Sequence, residues 1–182
     1  MSIAEPDPMS SPVPVLLITG PVGVGKTSTA GAVSSLLSQQ GILHAWVDLP
    51  QISQALPERD ADPWNEQLAH RNLACMWQNF RAVGVERLIV TRVLESRSLV
   101  HRIEEAVPAA QVVVVRLRAP LEIIQARLRA RDREPEWFLD AAEHLVPAMD
   151  EQPVEDYLID NSSSSIDQTA REVLSAVAWL TP

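Results

Sequence analysis

Eight consecutive residues, Gly20-Pro21-Val22-Gly23-Val24-Gly25-Lys26-Thr27, carry the most specific chemistry in the chain. They fit the pattern G-x-x-x-x-G-K-[ST] in full. Glycines at that spacing let the backbone curl so that successive N–H groups point inward. A helix opening at Lys26 adds its positive N-terminal end to the same anion site. The anion such a loop holds is the phosphate chain of a nucleoside triphosphate. Lys26 would reach the β- and γ-phosphates and Thr27 would offer its hydroxyl to Mg²⁺. Gly20 to Thr27, with Ser28 in the first helical turn, are the candidate nucleotide contacts. Lys26 also stands out by composition: the chain holds 15 lysines and arginines together, and Lys26 is the only lysine. The plain alternative is a glycine turn with no ligand.

A phosphate loop must leave a buried strand and enter a helix. Val15, Leu16, Leu17 and Ile18 precede it, and Ala30, Val33, Leu36 and Leu37 follow at helical spacing. Four further apolar runs, 43–48, 87–93, 111–117 and 155–160, join 13–19 as expected strands. They are mostly valine, isoleucine and leucine without polar alternation, the pattern of parallel strands covered on both faces. Amphipathic stretches at 26–39, 64–82, 96–106, 120–130, 137–146 and 166–179 read as helices. Gly41 fits a left-handed cap, Pro120 a first-turn proline, and Ser165 with Gln168 a capping box. The expected fold is α/β: a three-layer P-loop NTPase architecture with a five-stranded parallel sheet and helices on both faces. Residues 49–63 read as a connection and 162–165 as a loop.

Composition bounds the function. At 182 residues, 46% hydrophobic and 21% charged, the chain fits one soluble domain over 13–182, preceded by a disordered tail over 1–12. That tail is acidic and proline-rich where a signal peptide needs a basic start and a long apolar stretch, so the expected location is the cytoplasm. The longest apolar runs, such as 112–115, are too short for a bilayer. A net charge of -9 argues against nucleic acid as a partner and for a small molecule. Cys75, alone among apolar helical neighbours, reads as a core residue. His44, His70, His101 and His144 show no metal-ligand spacing. The sequence leaves the oligomeric state open.

An Asn-Lys-x-Asp guanine-reading motif would need a second lysine, which removes the signalling GTPases, and motor or helicase ATPases carry modules too large for this length. The chain resembles the small P-loop kinases: adenylylsulfate, gluconate and shikimate kinases, chloramphenicol phosphotransferase and the nucleoside monophosphate kinases. Beyond the loop, the resemblance rests on Asp48 at the end of the second strand, an arginine-rich helix after the fourth, and the final strand Tyr157-Leu158-Ile159-Asp160-Asn161. It implies that Asp48 lies near the acceptor hydroxyl and the metal, orienting or deprotonating the one or binding Mg²⁺ through water. A cap before Pro50 is the other reading of Asp48. The resemblance also implies that Gln125 to Arg133 form the helix and lid that bring arginines over the nucleotide.

Helical spacing divides those arginines. Arg127 and Arg131 follow Ile124 and Leu128 by three residues and share their inward side, while Arg129 falls nearly opposite. Arg127 and Arg131 are thus assigned to phosphates or adenine, with Arg133 in the lid that the resemblance implies, unless the stretch is simply a solvated basic helix. The third strand, Leu88-Ile89-Val90-Thr91-Arg92, has no acid until Glu95, so Thr91, Glu95 or Asp48 must serve the metal side. Asp160 fits the adenine side. Arg59, Asp60, Asp62, Trp64, His70 and Arg71 are the acceptor candidates. The expectation is a kinase that uses ATP and Mg²⁺ to phosphorylate a small molecule, with a hydroxyl as the favoured acceptor group. Lys26, Asp48, Arg127 and Arg131 form its catalytic set, with Thr27 and Asp48 at the metal. A nucleotide-binding regulatory module with little or no ATPase activity and a nucleoside monophosphate kinase are the alternatives.

Overall fold

The computed structural model describes residues 11–57, 60–131 and 136–179. Five strands run in parallel: β1 Val13–Thr19, β2 His44–Asp48, β3 Arg87–Thr91, β4 Ala110–Arg118 and β5 Tyr157–Asp160. Their order is β2-β3-β1-β4-β5. The helices are α1 Lys26–Gln39, α2 Glu66–Ala82, α3 Val100–Ala106, α4 Leu121–Arg129, α5 Trp137–Glu151 and α6 Ile166–Ala176.

The continuous apolar run of β1 follows from its place between β3 and β4. Successive side chains alternate across the sheet, so Val15 and Leu17 enter the layer with Leu73 and Trp77 of α2 and Ile103 of α3. Leu16 and Ile18 enter the opposite layer, with Val33 and Leu37 of α1 and Val173 and Leu174 of α6. Leu16, Leu17 and Ile18 are fully buried, and each contributes about 2 to 3 kcal/mol of apolar transfer. Both walls of β1 are thus fixed, and its C-terminal end is held where the loop leaves the sheet. The order reverses around β1, and in such sheets ligands bind in the crevice beyond the carboxyl ends of the strands.

Several expectations hold in detail. Gly41 adopts a left-handed φ of 71° after α1. Ser165 accepts from the Gln168 N–H while the Gln168 side chain accepts from the Ser165 N–H, a complete capping box.

Others are corrected. Helix α2 opens at Glu66 rather than residue 64, because Trp64 and Asn65 both have left-handed φ, 59° and 50°. The buried Asp62 carboxylate instead accepts from the N–H groups of Gln67 and Leu68 at 2.8 and 3.1 Å. Strand β3 ends at Thr91, two residues short of expectation. The stretch from 97 begins as a 3-10 turn capped by Ser96 before α3. Pro120 is the cap of α4 rather than its first helical residue. Helix α5 runs through Pro147 to Glu151, since its buried face, Ala142, Leu145 and Met149, continues past the proline and outweighs one missing hydrogen bond. Strand β5 is an edge, and only Ile159 in it is buried. Cys75 is exposed, because the buried side of α2 is Ala69, His70, Leu73 and Trp77 and residue 75 points the other way. The expected tail falls almost wholly on residues 1–10, outside the described residues.

Candidate nucleotide site

The loop between β1 and α1 owes its shape to glycine at two points. Gly20 has φ 136°, and a Cβ there would lie 2.5 Å from the Leu117 carbonyl oxygen. Gly25, at φ 111°, makes the left-handed turn into α1, and a Cβ would crowd the Asn161 amide at 3.0 Å. Pro21, Gly23 and Val24 are buried, Val22 half-buried, and Thr27 and Ser28 present their hydroxyls at the surface.

Lys26 folds across the mouth of the loop, its Nζ donating to the Gly20 and Pro21 carbonyl oxygens at 2.9 and 3.0 Å. Desolvation lowers its pKa from 10.5 to about 8, Asp48 opposes that fall, and the positive charge of Arg131 adds to it. A desolvated cation with cationic company is poised for an anion. Thr27 Oγ1 donates to Asp48 Oδ2 at 3.0 Å, so the end of β2 meets the first turn of α1. These two hard oxygen groups suit Mg²⁺, which takes few protein ligands and completes its shell with water and phosphate oxygens. Among the described residues no group of three or more His, Cys, Asp and Glu side chains forms a self-sufficient metal cage.

On the other side of the loop, a cavity of about 310 Å³ is lined by Gly23 to Gly25, Ser28, Arg127, Arg131 and Asn161, among others. Arg127 and Arg131 face this cavity and Arg129 is exposed away from it. Arg127 is already engaged. Its two terminal nitrogens donate to the Val24 carbonyl at 3.1 Å and the Asn161 carbonyl at 2.7 Å. Asn161 Nδ2 donates to the same Val24 oxygen at 2.5 Å. Arg127 therefore braces the loop, and Arg131 is the arginine whose charge is felt at Lys26. Arg133 lies outside the described residues. Asp160 is exposed and accepts from the Ser162 N–H and hydroxyl, which hold its carboxyl below the usual range. It shapes the turn, and its neighbour Asn161 meets the cavity instead.

At the end of β3, Thr91 pairs in register with Asp48, is 1% exposed, and has a buried hydroxyl without a hydrogen-bond partner. Arg92 grips Glu66 of α2 with both terminal nitrogens and donates from Nε to the Val93 carbonyl. Burial lowers its pKa to about 10. Glu95 is exposed. Of the acceptor candidates, Asp60 and Arg71 are exposed, Asp62 caps α2, and His70 is buried with Nδ1 donating to the Glu66 carbonyl. Trp64 projects into solvent beside Trp137, and Arg59 lies outside the described residues. A larger cavity of about 460 Å³ opens among Val13, Trp77, Arg81, Glu105 and Pro108, at the opposite end of the strands from the loop.

Sequence reasoning missed Asn161, the Arg92–Glu66 pair and Trp137. Asn161 left one usable signal, a polar residue directly after the end of the last strand. The partners of Arg92 and Trp137 lie far off in sequence and left none.

No helix among the described residues is long and apolar enough to cross a membrane. No curated protein sequence matches the chain. Among solved structures, a sugar kinase from Janibacter is similar at 20% identity, covering 92% of this chain and 95% of its own, with a TM-score of 0.63. A gluconokinase from Sinorhizobium meliloti aligns at 17% identity, 91% of each chain and TM-score 0.60. The Deinococcus radiodurans tunicamycin resistance protein aligns at 24% identity, 93% of this chain and 97% of its own, TM-score 0.62. These likenesses show a shared fold, that of the small P-loop kinases. The profile of the AAA domain family matches residues 16–143, so the chain belongs to that P-loop family.

Proposed function

We propose that this protein is a cytoplasmic small-molecule kinase, acting as one unit over residues 13–182, that moves the γ-phosphoryl group of ATP to an acceptor hydroxyl. The observation that carries the reading is the Thr27–Asp48 hydrogen bond of 3.0 Å beside the desolvated Lys26. An ammonium, a hydroxyl and a carboxylate thus share one crevice, the set that phosphate, metal and acceptor together require.

In the transfer, the bond from the γ-phosphorus to the β–γ bridging oxygen breaks and its electron pair leaves with ADP. A bond to the acceptor oxygen forms, and the hydroxyl proton passes to the Asp48 carboxylate. Lys26 turns from the Gly20 and Pro21 carbonyls to the β- and γ-phosphates, and Arg131 adds positive charge over the transferring group. Arg127 holds the loop in shape. Thr27 and Asp48 would hold Mg²⁺, whose charge offsets that of the phosphate oxygens.

Calorimetry with MgATP tests binding, with Lys26→Ala as the variant that should abolish it. ATP turnover across a panel of hydroxyl-bearing metabolites tests transfer, because a kinase is accelerated by a matching acceptor. One observation favours a second reading, a nucleotide-binding regulatory module: β3 ends in Thr91, with no acid. Such a module would bind MgATP and be accelerated by no acceptor. For a nucleoside monophosphate kinase, whose acceptor phosphate would call on Arg59 and Arg71, Arg71 lies on the exposed side of α2 and Arg59 lies outside the described residues.

A further inference from the structure

Two tryptophans meet in solvent from separate elements. Trp64 ends the connection between β2 and α2, Trp137 opens α5, and their ring centroids lie 6.1 Å apart at 40°. Trp64 is 68% exposed and Trp137 50%, although large aromatic side chains are ordinarily buried. Phe138 stands edge-on to Trp137 at 4.3 Å and sets its orientation. Trp64 adopts a left-handed backbone, and so does the next residue, Asn65. Bulky residues rarely take that conformation, and it collects at functional sites. Here it turns the indole outward instead of into the first turn of α2.

The pair lies beside the end of β3. Two residues after Trp64, Glu66 grips Arg92, which directly follows Thr91, and Thr91 pairs with Asp48. On the other side, α5 packs on α4, and Arg127 in its last turn and Arg131 just beyond it line the cavity at the phosphate loop. Glu66 meets Arg92 with both carboxylate oxygens and lies 3.9 Å from Arg102, so one carboxylate serves two arginines there. A ligand with an apolar C–H face is what an exposed indole pair recognises, since the electron-rich ring face attracts the polarised C–H groups of a hydroxylated ring.

Resting on the kinase reading, we propose that Trp64 and Trp137 form the acceptor wall, and that the acceptor is a hydroxylated six-membered ring, a pyranose or a cyclitol. One C–H face of the ring lies on the indoles and a hydroxyl points toward Asp48.

The test uses the full-length protein with MgATP and four probes: methyl α-D-glucopyranoside, methyl β-D-galactopyranoside, myo-inositol and the acyclic polyol glucitol. Tryptophan fluorescence reads binding and ADP release reads transfer. A ring probe should change the fluorescence and speed ADP release, and glucitol should do neither. The pyranosides and the inositol separate the two ring sources. Trp64→Ala and Trp137→Ala should each raise KM for the ring probe at least tenfold with kcat within threefold, while Trp64→Phe keeps KM within threefold. The double alanine variant should lose the fluorescence response although Trp46, Trp77 and Trp179 remain. The proposal is overturned by an acceptor that is acyclic, by an unchanged KM in both alanine variants, or by silence from every ring probe on protein that binds MgATP. Failure to bind MgATP sinks the kinase reading instead, and the wall then stands or falls on ring-probe fluorescence alone.

Discussion

Replacing Lys26 by methionine keeps a side chain of similar length and removes the charge, so it isolates what desolvating the ammonium does to the free protein. A fall in pKa from 10.5 to about 8 corresponds, at about 1.4 kcal/mol per pH unit, to about 3 kcal/mol set against the folded state. Below pH 8 the lysine is protonated in both states and the full cost stands. Between pH 8 and 10.5 the unfolded chain holds the proton that the folded chain has released, so wild-type stability rises with pH. Lys26→Met should therefore be more stable than wild type at pH 7 by at most about 3 kcal/mol. At roughly 2 to 4 °C per kcal/mol for a chain of this size, that is a rise in Tm of no more than about 12 °C. Thermal unfolding without nucleotide at pH 7, 8, 9 and 10 measures it, and the gap should close as pH approaches 10.5. MgATP narrows the gap, because only wild type gains RT ln(1 + [L]/Kd), and at a thousandfold excess over Kd the gain of about 4.1 kcal/mol reverses the order. A gap that is constant with pH, or a wild type that is the more stable at pH 7, would refute the account of Lys26.

Three further outcomes are expected. Asp48→Asn should leave MgATP binding in place and lower phosphoryl transfer by roughly 10² to 10⁴, whereas near-normal transfer in a coupled ADP assay would reduce Asp48 to a cap. Arg127→Ala should lower urea stability by about 1 to 3 kcal/mol, since the Val24 and Asn161 carbonyls lose a charged donor. Arg131→Ala should lower turnover with little change in stability and Arg129→Ala should change neither, so equal effects at all three would defeat the facing argument. Cys75→Ser should shift stability by less than about 0.5 kcal/mol, and a loss above 1 kcal/mol would contradict the exposure of that thiol.

Much of the fold was legible because local and global demands coincide. The phosphate loop, β1, α1 and the capping box at Ser165 are each specified within about ten residues of sequence, and the structure reproduces them. The failures share a cause in distance along the chain. Nothing near Val24 announces that its carbonyl will be held from residues 127 and 161, and nothing near Arg92 announces Glu66. The helix expected over 137–146 runs on to Glu151 because the burial that continues along α5 outweighs the local effect of Pro147. Cys75 misled because an apolar neighbourhood in sequence was read as burial, whereas the helical phase turns that residue outward. Trp64 was picked out by residue type alone, and its outward setting depends on a left-handed backbone at a non-glycine residue, which sequence does not advertise.

The brace at Val24 also orders events during synthesis. The motif from Gly20 to Thr27 leaves the ribosome well before the donors that fix its Val24 carbonyl, which are made more than a hundred residues later. Strands β3 and β4, which flank β1, are likewise translated after it. A nascent chain that stops short of Asn161 thus carries the complete signature and an unfinished cradle. Competence to hold a nucleotide arrives late, when the last third of the chain closes over the first.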